Sequence, residues 1–183
     1  MTTHISLLRG INVSGHRVIK MDALKKMCSD LSFSDVQTYL QSGNIIFRSE
    51  QKNSEEISKF IKFSIEKVFG YDVPVITLTL AELELTINTN PFLKNKSKDP
   101  SFFYVTFLSH SPTKHNVELL TRIDAKNDRY EIIDKAVYLY CPGSYGNSKL
   151  TNSFLENKLK VTATTRNWKT INEIFKLATN LKP

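Results

Sequence analysis

The sequence predicts an α+β protein, a tandem duplication of a ferredoxin-like unit (split βαβ, antiparallel sheet), each copy carrying an added C-terminal helix. Three observations predict it. One order of elements, strand-helix-strand-strand-helix-strand-helix, runs over residues 4–88 and again over 102–181. Apolar residues recur every second position in the strand segments and every third or fourth in the helical ones. A segment with two prolines and three lysines, 90–100, separates the passes. The chain is therefore read as a first lobe at 1–90, a linker at 91–101 and a second, basic lobe at 102–183.

The first strand is Ile5-Ser6-Leu7-Leu8-Arg9. A helix follows, with Met21, Leu24, Met27, Cys28 and Leu31 on one face, the spacing of a helix lying on a sheet. Residues 36–41 and 44–48 are β-rich runs split by Ser42-Gly43, the signal of a tight hairpin. The second helix starts at Asn53 with Glu56 as its capping partner, buries Ile57, Phe60, Ile61, Ile65 and Val68, and stops at Gly70. Residues 73–78 form the fourth strand and 80–87 the added helix.

In the second pass 102–108 is a strand and 114–122 a helix. Residues 129–133 and 136–141 pair around Asp134-Lys135. A helix at 152–159 and a strand at 161–165 follow. Trp168, Ile171, Ile174, Phe175 and Ala178 mark an amphipathic closing helix with Asn167 in the capping position.

Composition narrows the class. With 183 residues, 40% apolar and 23% charged, the chain is an ordinary globular protein with enough length to bury a core. No apolar run reaches the roughly 18–20 residues of a membrane span. The start, Met1-Thr2-Thr3-His4, lacks the layout of a signal peptide. Two distant cysteines, Cys28 and Cys141, fit reduced thiols in the cytoplasm. The net charge of +7 is lopsided: residues 1–90 hold 10 basic and 10 acidic side chains, residues 91–183 hold 15 and 8. A basic half beside a neutral one suggests an anionic partner for the second lobe, against the plainer reading of solubility.

Four segments carry a family resemblance: Leu7-Leu8-Arg9-Gly10-Ile11-Asn12-Val13, Gln41-Ser42-Gly43-Asn44, Ser148-Lys149-Leu150 and Thr164-Thr165-Arg166-Asn167-Trp168. In this order, and with Asn90-Pro91-Phe92 before the linker, they resemble the bacterial family called domain of unknown function 1697. The resemblance spans nearly the whole chain. It implies a two-lobed α+β fold and brings no activity or catalytic residues with it.

A split βαβ unit sends its first and second strands the same way, so the loop leaving the first lies beside the following hairpin. That places Arg9 and Asn12 near Ser42 and Asn44, with Gly10 and Gly43 allowing close backbone approach. The plainer alternative is a turn and a loop that satisfy their own hydrogen bonds. In the second lobe the loop 142–149 should adjoin 164–167. Lys149, with an at least partly exposed Arg166 and Asn167 at a helix N-terminus, could then hold an anion, although the spacing is not a Walker A loop. An inverted docking of the lobes would gather both clusters in one cleft. Alternation further sets Tyr104, Tyr138 and Tyr140 on one open sheet face, a possible base-stacking platform, opposite Phe103, Val105, Phe107, Val137 and Leu139.

His4, His16, His110 and His115 lack metal-ligand spacing, so neither metal nor cofactor is expected. Cys28, on an apolar helix stripe, reads as a core thiol, and Cys141 as little more reactive. The leading reading is a binding protein for an anionic ligand, nucleic acid or a phosphorylated small molecule. With no catalytic motif, it stands ahead of an enzyme acting on an anionic small molecule without nucleophile or metal, and of a protein-interaction adaptor. No membrane partner is expected, and a monomer is favoured.

Overall fold

A computed structural model describes residues 1–121 and 123–181. The chain runs β1 (Thr2–Leu8), α1 (Met21–Asp30), β2 (Ser34–Tyr39), β3 (Asn44–Ser49), α2 (Ser54–Phe69), β4 (Val75–Thr79) and α3 (Leu80–Asn88). It continues with β5 (Phe103–Leu108), α4 (Lys114–Thr121), β6 (Arg129–Ile133), β7 (Ala136–Tyr140), α5 (Asn152–Leu159), β8 (Ala163–Asn167) and α6 (Trp168–Thr179). Arg122, the expected last residue of α4, lies outside the described residues. Two four-stranded antiparallel sheets result, ordered β2-β3-β1-β4 and β6-β7-β5-β8. Residues 1–85 and the segment from Glu173 onward make one compact unit, and Thr86–Asn172 the other.

The first unit packs α1 and α2 on one face of its sheet. Leu24, Met27 and Cys28 of α1 and Ile57, Ile61 and Ile65 of α2 join Leu8, Ile45, Phe47 and Val75 in its core. Phe60 and Val68, expected on that stripe, are instead 47% and 58% exposed. Phe60 stands roughly a quarter turn from the stripe centre at 3.6 residues per turn, and Ser64 takes the inner position. Asn53 caps α2 by accepting from the Glu55 and Glu56 amides, and Gly70 ends it in the left-handed conformation. The β2–β3 connection is a four-residue loop closed by the Tyr39–Asn44 pair, with Leu40 at φ 58°, rather than a two-residue turn at Ser42-Gly43.

Beneath α2 the core is partly polar. Ser6 and Thr77 hydroxyls meet at 2.7 Å. His4, fully buried, stacks on Phe47 and shares a 3.0 Å hydrogen bond between Nε2 and the Gln51 carbonyl, while Nδ1 finds no partner. Burial lowers the pKa of His4 below its ordinary 6.5, partly offset by the Gln51 carbonyl and the charge of Glu82. The unfolded chain therefore takes up this proton first as pH falls. Stability is full above about pH 6.5 and declines as pH drops through that value towards the lower native pKa. Urea midpoints measured from pH 7.5 to 5 should show the decline, and a smaller one in His4→Gln. A flat wild-type profile contradicts it.

In the second unit the β5–β7 register departs from the expected facing. Phe103 pairs with Tyr140, Val105 with Tyr138 and Tyr104 with Leu139. Directly paired residues share a face, so Tyr138 and Tyr140 lie with Phe103 and Val105, and Tyr104 lies on the other side with Val137 and Leu139. The three tyrosines form no common platform, and neither face is open: Tyr138 and Val105 are buried on one, Val137 and Leu139 on the other. The proline- and lysine-containing segment packs on the Tyr138 face. Phe92 is buried 6.0 Å from Phe103 and 6.2 Å from Tyr140, ring to ring, and Lys98 Nζ sits 4.3 Å above Phe92. The Tyr138 hydroxyl donates to the Thr86 carbonyl at 2.9 Å.

Candidate functional site

The segment after β1 makes the most unusual backbone of the molecule. Sheet pairing runs on past Leu8: the Leu8 amide donates to the Gly43 carbonyl at 2.8 Å and the Arg9 amide to Pro74 at 3.0 Å. The chain then folds into a narrow finger. Gly10, Asn12, Ser14, Gly15 and Arg17 all have φ between 48° and 76°. Holding a non-glycine residue there costs roughly 1–3 kcal/mol, and such strain gathers where function requires a shape. Val13 bridges His16 at the tip, and the Asn12 amide donates to Arg17 at 3.2 Å.

The side chain of Asn12 locks the base of this finger. Its Nδ2 donates to the carbonyls of Ile19 (2.9 Å) and Gln41 (2.8 Å), and its Oδ1 accepts from the Ile19 amide (2.9 Å). Ile11 and Ile19 are buried on either side. The β1 exit and the β2–β3 loop are thus bound together, the neighbourhood expected from the strand order. Asn44 is fully buried and its Nδ2 donates to the Tyr39 carbonyl (2.7 Å) and Ser42 Oγ (3.2 Å). Arg9 is half-buried and Ser42 exposed.

Beyond that base, Gly10, Val13, Ser14, His16, Arg17 and Tyr71 line a hollow of about 650 Å³. An Arg17 guanidinium nitrogen lies 3.5 Å from where a Cβ on Gly10 would sit, so the arginine folds back over the glycine. Nearby Asp72 pairs with Lys62 at 2.8 Å. That contact, with a smaller contribution from the Arg17 charge, holds its carboxyl below the usual range. His16, Arg17 and Tyr71 were invisible as site residues in the sequence. The only available signal was the Gly10…Gly15 spacing with polar residues between.

In the second unit the β7 exit adjoins β8, as the topology demands. Tyr145 stacks on Tyr104 at 5.1 Å and its hydroxyl meets Thr165 Oγ1 at 3.0 Å. Thr165 donates to Asn152 Oδ1 and meets Thr106 Oγ1, each at 2.7 Å. The loop closes on itself: Ser144 Oγ accepts from the Gly146 amide, Asn147 donates to the Gly143 carbonyl, and Ser148 Oγ accepts from the Leu150 amide. Lys149 projects into solvent.

Arg166 departs from expectation. Strand β8 extends to Asn167, so Arg166 pairs with Val105 in the sheet and is only 8% exposed, not partly exposed at the start of the helix. Its Nη1 donates to Thr164 Oγ1 and to the Thr165 carbonyl, each at 3.0 Å. Burial draws its pKa down to about 10. Asn167 does cap α6, accepting from the Thr170 amide at 2.8 Å. Trp168 is half-buried and edge-on to Phe103 at 6.3 Å.

Both cysteines are buried and unpaired, with thiols pushed up to about 12, Cys28 by burial and Cys141 by burial and then the charge of Asp128. Neither is a thiolate at neutral pH. Among the described residues no three His, Cys, Asp or Glu side chains gather to hold a metal ion, and no helix is long and apolar enough to cross a membrane.

These features define an α+β protein with two four-stranded antiparallel sheets and a strained, cationic finger on the first. The chain belongs to the family described as protein of unknown function DUF1697, whose model matches residues 1–138. It is similar in fold to the conserved bacterial protein SP0830 from Streptococcus pneumoniae. That likeness has a TM-score of 0.71 and 20% identity, covering 97% of this chain and 98% of the other. None of the curated proteins matches the chain.

Proposed function

We propose that the protein binds an anionic ligand, a phosphorylated small molecule, in the hollow beside the Gly10–Arg17 finger. The observation that carries this reading is the finger's design: a base locked by Asn12, with Arg17 folded back over Gly10, and a tip presenting Ser14 and His16. The lining holds the Arg17 guanidinium and no carboxylate, and Tyr71 supplies a flat apolar wall. The backbone that carries these side chains is held by the Asn12 hydrogen bonds, which lowers the ordering cost of binding. Arg9 and Ser42 flank the base, and Asn12 and Asn44 hold the backbone in place; in the second unit only Lys149 remains available to an anion, since Arg166 is buried and the Asn167 oxygen caps α6.

The same reading takes the two sheets as copies of one ferredoxin-like unit, since strand order and directions repeat. A small phosphorylated ligand is favoured over nucleic acid because the tyrosines lie on two buried faces, leaving no row of rings on which bases could stack. The net charge of +7 assists either ligand by steering. Calorimetric titration with inorganic pyrophosphate and with a nucleoside monophosphate at low salt tests the proposal. Saturable binding is expected, weakened about tenfold or more in Arg17→Ala, the worth of a charge-assisted hydrogen bond. Absence of binding, or equal affinity in the variant, overturns it. Tighter binding of RNA with a steep salt dependence would transfer the site to nucleic acid.

A further inference from the structure

A second hollow, of about 470 Å³, has the opposite character. It lies on the first unit between the turn after α1 (Leu31, Ser32, Phe33), the end of β3 (Ser49, Glu50, Gln51) and the first turns of α2 (Glu56, Ile57, Phe60). Its size falls in the range of small-molecule sites. The walls are apolar and fixed: Phe33 stacks on Phe47 at 4.3 Å, and Phe60 stands edge-on to Phe33 at 6.5 Å while remaining 47% exposed. Ser32 at φ 64°, Asp35 at φ 53° and an irregular β2–β3 register from Ser34 to Gln37 bend the edge strand beside it. Bulges of this kind re-aim side chains and occur often near sites.

No lysine, arginine or histidine lines this hollow, in a chain with 25 Lys and Arg. Gln51 is tied up internally. Gln51 Nε2 donates to Glu56 Oε2 at 2.6 Å, the Gln51 amide donates to Ser49 Oγ, and Gln51 Oε1 accepts from Asn53. Two carboxylates remain at the rim. Glu50 already lies 3.5 Å from the Met1 ammonium, whereas Glu56 accepts from the Gln51 side-chain amide and adds only a lesser attraction to Lys59, whose ammonium is paired with Glu55.

We propose that this hollow binds a small organic cation with an apolar body, a primary alkyl- or arylalkylammonium ion. The body lies against Phe33, Ile57 and Phe60, and the ammonium is held by Glu56, with the exposed Phe60 ring adding a cation–π contact. An anion would face two carboxylates and no basic side chain in this lining, so the site is separate in chemistry from the finger and does not depend on that reading.

Amide chemical-shift titrations with 2-phenylethylammonium, 2-phenylethanol and 3-phenylpropanoate at one ionic strength test it. Saturable shifts are expected at residues 31–33, 51 and 56–60. The alcohol should bind about threefold more weakly than the ammonium, the worth of a rim ion pair, and the carboxylate more weakly still. Glu56→Gln, at an exposed position, should remove the preference for ammonium over alcohol. Phe60→Ala should weaken both, and Arg17→Ala neither. Absence of saturable shifts at this hollow, or equal affinities of the three probes in the unmodified protein, overturns the proposal whatever the variants do.

Discussion

Gly43→Ala is expected to cost roughly 2–4 kcal/mol of stability, the sum of a strained backbone and an overpacked contact. Gly43 has φ 75°, where an L side chain is disfavoured. A Cβ there would stand 2.7 Å from Ile11 Cδ1 and 2.8 Å from Leu8 Cβ. Leu8 Cβ is fixed to an inner strand, and Ile11 is buried at the base of the finger, so neither can give way cheaply. Gly70 is the control: its φ of 74° is almost the same, but nothing lies within 4 Å of its Cβ direction. Gly70→Ala should therefore lose only the backbone part, about 1 kcal/mol. Urea denaturation of both variants separates the two causes. Equal losses would mean that the packing of the finger against the hairpin contributes nothing.

The end of the first sheet where Gly43 makes this contact was legible in advance. Strand order alone brings the β1 exit to the β2–β3 loop, and period-two and period-3.6 patterns placed the strands and helices. The second sheet was harder. Phe103-Tyr104-Val105-Thr106-Phe107-Leu108 and Ala136-Val137-Tyr138-Leu139-Tyr140 are apolar on both faces, so no polar side fixes their mutual register. A one-residue difference in pairing moves Tyr138 and Tyr140 to the Phe103 face. The finger was hidden for another reason. Left-handed Ser14 and Arg17 violate the preferences that sequence reading relies on, and sites are where such violations gather. Phe60 was lost to its stripe because it flanks the buried seam of α2, and its exposure shapes the second hollow.

Arg166 is where the rule that arginine stays at the surface fails, and its substitution has the second large expected effect. Placed after a short strand, the residue would be a free cation, and Arg166→Ala would leave stability untouched. Two more strand residues put it opposite Val105 with its guanidinium bonded to Thr164 and Thr165. A pKa of about 10 keeps it charged at neutral pH despite burial. Truncation to alanine then opens a cavity where the aliphatic stem packs and strips donors from buried oxygens, together about 3 kcal/mol. Arg166→Lys, which keeps the charge but not the planar fork, should lose an intermediate amount. Urea unfolding at pH 7 checks both, and a loss within about 0.5 kcal/mol for alanine would return Arg166 to the behaviour of a surface residue. The result also governs how binding data are read. A fall in anion affinity in Arg166→Ala counts as a lost ligand contact only once the folded fraction of that variant has been measured under the same conditions.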